Sequence, residues 1–227
     1  MTGGGRAEER ASRLAEAAGV RPPPVVTVPV LASGRRHHGH HLDGALAITE
    51  TRDGEPTIYV AQVAAESLPD AALDYLLAHE LGHVVAWRRP THRSSLRIKE
   101  LLMFGPAAVA ALLAGVEAIA AASVAAGSRT VLVLLAAWPV LLVVGQMGRM
   151  AVQRREELAA DRWAGQLLGS AVGLEACARW TAHSAAPRRR QHLGDWLLTG
   201  THPRYSTRLA AMRKSVSEGG RYRARRK

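Results

Sequence analysis

The feature that most constrains this chain is the segment Ala78-His79-Glu80-Leu81-Gly82-His83, which carries the spacing His-Glu-x-x-His. Residues four apart on a helix share a face, so His79 and His83 can hold one ion between them. Neutral imidazoles suit zinc, and two histidines plus one further protein ligand leave a fourth position for water. Glu80 lies on the neighbouring face, within reach of that water's proton. This is the division of labour of zinc hydrolases: the metal as Lewis acid, the carboxylate as general base. So short a pattern also arises by chance, and its flanks must decide. Residues 68–87 read as one helix, opened by Ser67 as cap, Pro69 in the first turn and Asp70 three residues after the cap. Leu73, Leu76, Leu77, Leu81, Val84 and Val85 give it the broad apolar surface of a buried helix. Two histidines and a glutamate on such a helix are hard to explain as packing, because each needs its own polar partner.

The next strongest signal is hydrophobic. Residues 101–127 are almost wholly apolar, with Glu117 their one charge, and residues 131–148 are apolar again around Pro139. Each stretch is long enough for a hydrocarbon core of ~30 Å, which takes about 17–25 helical residues. Buried helices of a soluble core are the competing reading. Length, the lack of polar faces and the basic flanks argue for a membrane hairpin. Arg88, Arg89, Arg93, Arg97 and Lys99 precede it, Arg149, Arg154 and Arg155 follow it, and the turn between the arms holds only Arg129. The positive-inside bias then places both termini and the active site in the cytoplasm of a multi-pass cell-membrane protein. Glu117 falls near mid-membrane, where an isolated carboxylate is costly, so it is expected to be protonated against the partner helix.

Composition narrows the partners. The 227 residues carry 30 Lys and Arg against 19 Asp and Glu, a net charge of +11. That balance suits either nucleic acid or an anionic membrane. Only 4% of residues are aromatic, and no helix-turn-helix or stacking platform is present, so the bilayer is the expected partner and nucleic acid is not. The lone Cys177 excludes an intramolecular disulfide, in keeping with a reducing compartment. Residues 1–5 lack the pattern of a signal peptide.

Along the rest of the chain, residues 6–18 read as a surface helix stopped by Gly19 and Pro22 to Pro24. Residues 25–30 read as a strand whose Pro29 puts it near an edge or a strand end. His37, His38, His40 and His41 admit a second metal site or a loop. The loop is preferred, because no helix or strand there sets a geometry. Residues 45–51 and 56–62 form a hairpin through Asp53-Gly54. Its second strand leads toward the His-Glu-x-x-His helix, and its edge suits an extended peptide. Beyond the spans, Glu157 and Asp161 share a helix face in a helix ending at Gly169. Shorter helices are expected over 174–182 and 205–212, then a basic disordered tail over 213–227 that is drawn to anionic headgroups. The metzincin pattern is excluded, since Ala86 and Arg89 stand where it needs glycine and histidine.

Three segments together resemble the M48 family of membrane zinc peptidases, which includes HtpX-like heat-shock proteases and the CAAX proteases. They are His79-Glu80-Leu81-Gly82-His83, then Glu157-Leu158-Ala159-Ala160-Asp161 as the family's Glu-x-x-Ala-Asp, then Thr201-His202-Pro203 followed by Arg208. Their order and the hydrophobic hairpin between the first two also match, over about residues 45–212. The resemblance implies that Glu157 is the third zinc ligand, that Asp161 steadies a zinc histidine, and that His202 helps stabilise the oxyanion. Helix geometry agrees if Asp161 supports the site, because Glu157 then faces the same way and Glu156 is turned about 100° aside. Asp161 as direct ligand with Glu157 behind it is the rival arrangement. Unlike the HtpX pattern, no spans precede the zinc helix.

The expectation is an α+β fold, a zincin-type (gluzincin) catalytic domain with an inserted two-helix transmembrane hairpin. Residues 1–100 and 149–212 form the two halves of the peptidase domain, 101–148 the hairpin and 213–227 the tail. The expected activity is zinc-dependent endopeptidase action on protein or peptide substrates at the cytoplasmic membrane face, in membrane protein quality control, with one Zn2+ per chain. The alternative is a non-catalytic zinc-containing membrane adaptor or sensor. Nothing in the sequence fixes an oligomeric state.

Overall fold

The computed structural model describes residues 3–29, 46–52, 55–88, 128–184 and 203–224. Among the described residues three strands and six helices follow in order: α1 (Gly3–Ala17), β1 (Val25–Val28), β2 (Ala47–Arg52), β3 (Glu55–Ala61), α2 (Gln62–Ser67), α3 (Asp70–Trp87), α4 (Ser128–Leu168), α5 (Val172–Ser184) and α6 (Tyr205–Ala224). The chain divides into two compact units. One comprises Met1–Arg89, Glu156–Arg188 and Pro203–Lys227; the other comprises Pro90–Arg155 and Arg189–His202. The mixed α+β architecture with a small sheet is as expected.

In the first unit the sheet order is β1-β3-β2. β2 and β3 form the antiparallel hairpin, with Arg52 opposite Glu55. β1 runs parallel to β3, Val25 opposite Ile58. This corrects the role given to the second hairpin strand. β3 is paired on both sides and has no edge to offer; among the described residues the edges belong to β1 and β2. Central placement also explains why Ile58, Val60 and Ala61 are buried, where a half-exposed strand would alternate.

α3 is the axis of this unit and packs against α1, β2, β3 and α5. Its Leu73, Leu77, Leu81 and Val84 join Ile58 and Val60 in one core. α1 contributes a stripe of small residues, Ala7, Ala11 and Ala15, all fully buried. Small side chains at i, i+4 and i+8 let the helix lie close on its neighbours. Arg6 and Arg10 extend from it to Asp70 and Asp74 on α3, at 2.5 to 2.7 Å. α1 ends where Gly19 takes φ +66° and Val20 N–H returns to the Ala15 carbonyl. α3 itself begins two residues later than the sequence suggests. Ser67 closes α2 instead of capping α3, and Pro69 occupies the cap position.

Two more expectations change in the C-terminal half. α4 runs unbroken from Ser128, so residues 128–130 are its first turn and not a loop between helices. α6 continues to Ala224, through much of the segment expected to be a disordered tail. Met212 and Ser215 are buried and lie against Gly165 of α4, while Arg213 pairs with Glu175 at 2.7 Å. Those contacts give residues beyond Met212 the tertiary support that their polar sequence lacks.

Of the second unit, residues 128–155 are described, all within α4. The first apolar stretch, 101–127, with Glu117, lies outside the described residues, as do His37, His38, His40, His41 and His202. Among the described residues no helix is long and apolar enough to cross a membrane.

Candidate metal centre

The motif helix presents Tyr75, His79 and His83 one turn apart on a single face. Opposite them, α4 presents Glu157 and Asp161. Close approach of the two helices is permitted by a pair of small residues. A Cβ added to Gly82 would lie 3.0 Å from Ala160 Cα and 3.3 Å from its Cβ. Glycine in the one motif and alanine in the other therefore bring the carboxylates of α4 within reach of the histidines.

Two imidazole nitrogens and the two oxygens of one carboxylate converge. His79 Nε2 and His83 Nε2 are 3.2 Å apart. Glu157 places Oε2 3.4 Å from His79 Nε2 and Oε1 3.4 Å from His83 Nε2. The two imidazole rings stand edge to face, with centroids 4.8 Å apart and planes at 84°. A tetrahedral ion with bonds of about 2.0–2.1 Å spaces its ligand atoms about 3.3–3.4 Å apart. The separations of 3.2 and 3.4 Å are of that size, with a different Glu157 oxygen facing each histidine, and the donor set of two imidazoles and a carboxylate is one that zinc takes. Among the described residues these three are the group able to hold a metal. Glu157 belongs to it and Glu156 does not. Exposure rises across the cluster, from 7% for His79 through 14% for Glu157 to 25% for His83, so access is from the His83 side.

Behind His79 the surroundings are closed. Nδ1 lies 2.9 Å from Asp161 Oδ1, and Asp161 is fully buried. Arg208 of α6 donates to both Asp161 oxygens, Nε to Oδ2 at 2.7 Å and Nη2 to Oδ1 at 2.8 Å. The Tyr75 hydroxyl donates to Oδ1 at 2.7 Å. Asp161 thus stands behind the histidine, not among the ligand atoms. Burial by itself would raise the Asp161 carboxyl, but hydrogen bonds from Arg208 and His79 outweigh it and hold the group well below the usual carboxylate range. Burial likewise opposes charge on His79, yet its hydrogen bonds to Asp161 and Glu157 prevail and push it up to about 10. The pocket around this imidazole favours positive charge. Burial pushes the Tyr75 hydroxyl well above its ordinary range, so it remains a donor.

Glu80 is buried at the foot of the cluster. Thr49 on β2 donates to its Oε2 at 2.7 Å and lies 3.2 Å from its carbonyl oxygen. The sheet edge strand is thereby tied to the carboxylate between the two histidines. Of the residues singled out in the sequence, the structure gathers His79, Glu80, His83, Glu157 and Asp161. It adds three that sequence reasoning missed. In the sequence Arg208 is only a residue that follows the Thr-His-Pro segment, with no role attached to it. Tyr75 could have been found by continuing the His83, His79 stripe back one turn. Thr49 carries no local signal, since only the packing of β2 against α3 brings it to Glu80.

No curated protein and no solved structure gives a match to this chain. The sequence pattern of Peptidase family M48 matches residues 6–216, from the second turn of α1 to the middle of α6. With that coverage, and with the donor atoms gathered as such an enzyme needs them, the chain belongs to peptidase family M48 and is a zinc metallopeptidase.

Proposed function

We propose that this is a membrane-anchored zinc endopeptidase that cleaves proteins at the cytoplasmic face of the cell membrane, in membrane protein quality control. The observation that carries the catalytic part is the donor cluster of His79, His83 and Glu157: the two Nε2 atoms lie 3.2 Å apart, and each is 3.4 Å from one oxygen of the Glu157 carboxylate. When bound there, zinc supplies Lewis acidity that polarises the scissile carbonyl and acidifies water. Each chain holds one such ion. Glu80 takes the proton of the attacking water and passes it to the leaving amine. The Thr49 hydroxyl occupies Glu80 Oε2 and limits the carboxylate's rotation. Asp161 keeps the His79 ring in place by accepting from Nδ1. His202, by its place in the Thr-His-Pro motif, donates to the oxyanion.

The membrane part rests on sequence and on one surface feature. The two apolar stretches, 101–127 and 131–148, would form a hairpin with its basic flanks in the cytoplasm. Val143, Val144 and Met147 of α4 are large apolar side chains left 45–60% exposed, as a lipid-facing surface would be. Two experiments test the reading. Purified protein should cleave casein only when zinc is restored after chelation, and zinc-loaded Glu80→Gln should not cleave it. Equal turnover by that variant would remove Glu80 as the base, and absence of cleavage by the zinc-loaded wild type would favour an adaptor or sensor. A cysteine at Ser128 should react with an impermeant reagent outside the cell, whereas one at Ser217 should not; the reverse pattern would invert the topology.

A further inference from the structure

The polar groups behind His79 can be followed hydrogen by hydrogen. The Arg208 guanidinium only donates. Its Nε–H goes to Asp161 Oδ2 at 2.7 Å. Its Nη2 carries two hydrogens and has two close acceptors, Asp161 Oδ1 at 2.8 Å and the Tyr75 oxygen at 2.7 Å. Having accepted from Arg208, the Tyr75 hydroxyl sends its own hydrogen to Asp161 Oδ1 at 2.7 Å. His79 Nδ1 lies 2.9 Å from that same oxygen and 3.4 Å from Arg208 Nη2. Both Nη2 hydrogens are committed elsewhere, so Arg208 has none to give Nδ1. Nδ1 must therefore carry a hydrogen of its own and donate it to Asp161. The other ring nitrogen, Nε2, faces His83 and Glu157, and it is the one whose lone pair a metal would take.

Tyr75 is the residue on which this outcome turns. Without its hydroxyl, one Nη2 hydrogen loses its acceptor, and His79 Nδ1 is already 3.4 Å away. A small rotation of the guanidinium would let it donate to Nδ1. That favours the tautomer with hydrogen on Nε2, the position where a metal must bind. Tyr75 is 2% exposed, and its ring lies 6.1 Å from the imidazole, so packing holds the hydroxyl in this position.

We propose that Tyr75, held by Arg208, is a positioning residue that keeps the hydrogen of His79 on Nδ1 through Asp161 and so sets the metal affinity of the site. The proposal rests on the zinc-peptidase reading and adds to it a residue outside the His-Glu-x-x-His motif. The test is a zinc titration of the full-length chain against a competing chelator, for wild type, Tyr75→Phe and Arg208→Lys, with thermal unfolding of each metal-free protein alongside. Phenylalanine keeps the ring and removes one donor and acceptor. Lysine keeps the charge beside Asp161 and loses the fork. Tyr75→Phe should weaken zinc binding about tenfold or more, the range known for partners one step behind a ligand. Its metal-free unfolding temperature should stay within about 2 °C of wild type. Arg208→Lys should weaken zinc binding as well, and Tyr75→Phe decides the matter if that variant does not fold. Unchanged zinc affinity in Tyr75→Phe overturns the proposal. So does a loss of affinity matched by an equal loss of metal-free stability, because that is what a merely structural tyrosine would give. A wild type that binds no zinc would instead overturn the metal centre itself.

Discussion

The two nitrogens of His79 face regions of opposite character. On the Nε2 side, His83 Nε2 and the Glu157 oxygens crowd within 3.4 Å, with one face reached by solvent. On the Nδ1 side, Asp161, Tyr75 and Arg208 satisfy one another in a closed network. The difference separates a site that binds from a site that supports. A cluster of converging acceptors is useful only when a cation joins it. A saturated network of fixed donors instead holds one ring orientation, and its buried charges make it costly to disturb.

Substitutions on the two sides should therefore fail in different ways. The largest loss of stability is expected from Asp161→Ala, which strands Arg208 among buried groups. Removing one partner of a buried ion pair costs about 3–5 kcal/mol. Chemical denaturation of the metal-free protein measures it, and a loss below about 1 kcal/mol, the scale of an exposed pair, would dissolve the contrast between the two sides. Glu157→Ala comes next. It should abolish tight zinc binding, by more than about the hundredfold seen for partners behind a ligand, and leave the metal-free fold nearly intact. Glu156→Ala should bind zinc as wild type does. Metal analysis of the purified variants checks both, and zinc loss in Glu156→Ala with retention in Glu157→Ala would reverse the assignment on α4.

A smaller effect tests the approach of the two helices. Gly82→Ala forces a methyl against the Ala160 backbone and should cost about 1–3 kcal/mol by overpacking. Because that contact sets the distance between α3 and Glu157, zinc affinity should fall with stability. A variant that lost stability but kept full affinity would show that Glu157 reaches the histidines independently of the helix contact. The smallest effect lies farthest from the site. The Arg6 and Arg10 guanidinium groups beside Asp70 hold its carboxyl below the usual range, the Arg6 hydrogen bond contributing most. Its folded pKa is thus below its unfolded value. The stabilisation is present above the ordinary aspartate range of about 3.9 and is lost as pH falls through the folded value. Unfolding temperatures of wild type and Asp70→Asn should converge at acid pH and differ slightly near neutrality. A difference that grew toward acid pH would contradict this sign.

The site was legible in the sequence wherever local periodicity decides contact. His79, Glu80 and His83 follow from one helix, as does the shared face of Glu157 and Asp161. The hairpin of β2 and β3 was legible for a similar reason, since Asp53-Gly54 between two apolar runs sets a turn. Which strand is central was not, because β1 joins β3 across 26 intervening residues in a parallel pairing that no local signal records. The C-terminal helix was cut short for a related reason. Residues 213–224 are polar in sequence, and their order comes from what Met212, Arg213 and Ser215 touch elsewhere.

What the sequence alone determined was that His79 and His83 share one helix face and Glu157 and Asp161 another, because residues four apart on a helix face one way whatever the helix packs against. What only the tertiary structure decided was that Glu157, and not Asp161, joins the histidines, and the company those residues keep. Thr49 reaches Glu80 from a strand 31 residues earlier, and Arg208 reaches Asp161 from a helix 47 residues later. Such pairs depend on how elements stack, and stacking follows from burial of apolar faces, which is non-directional and leaves no spacing rule in the chain.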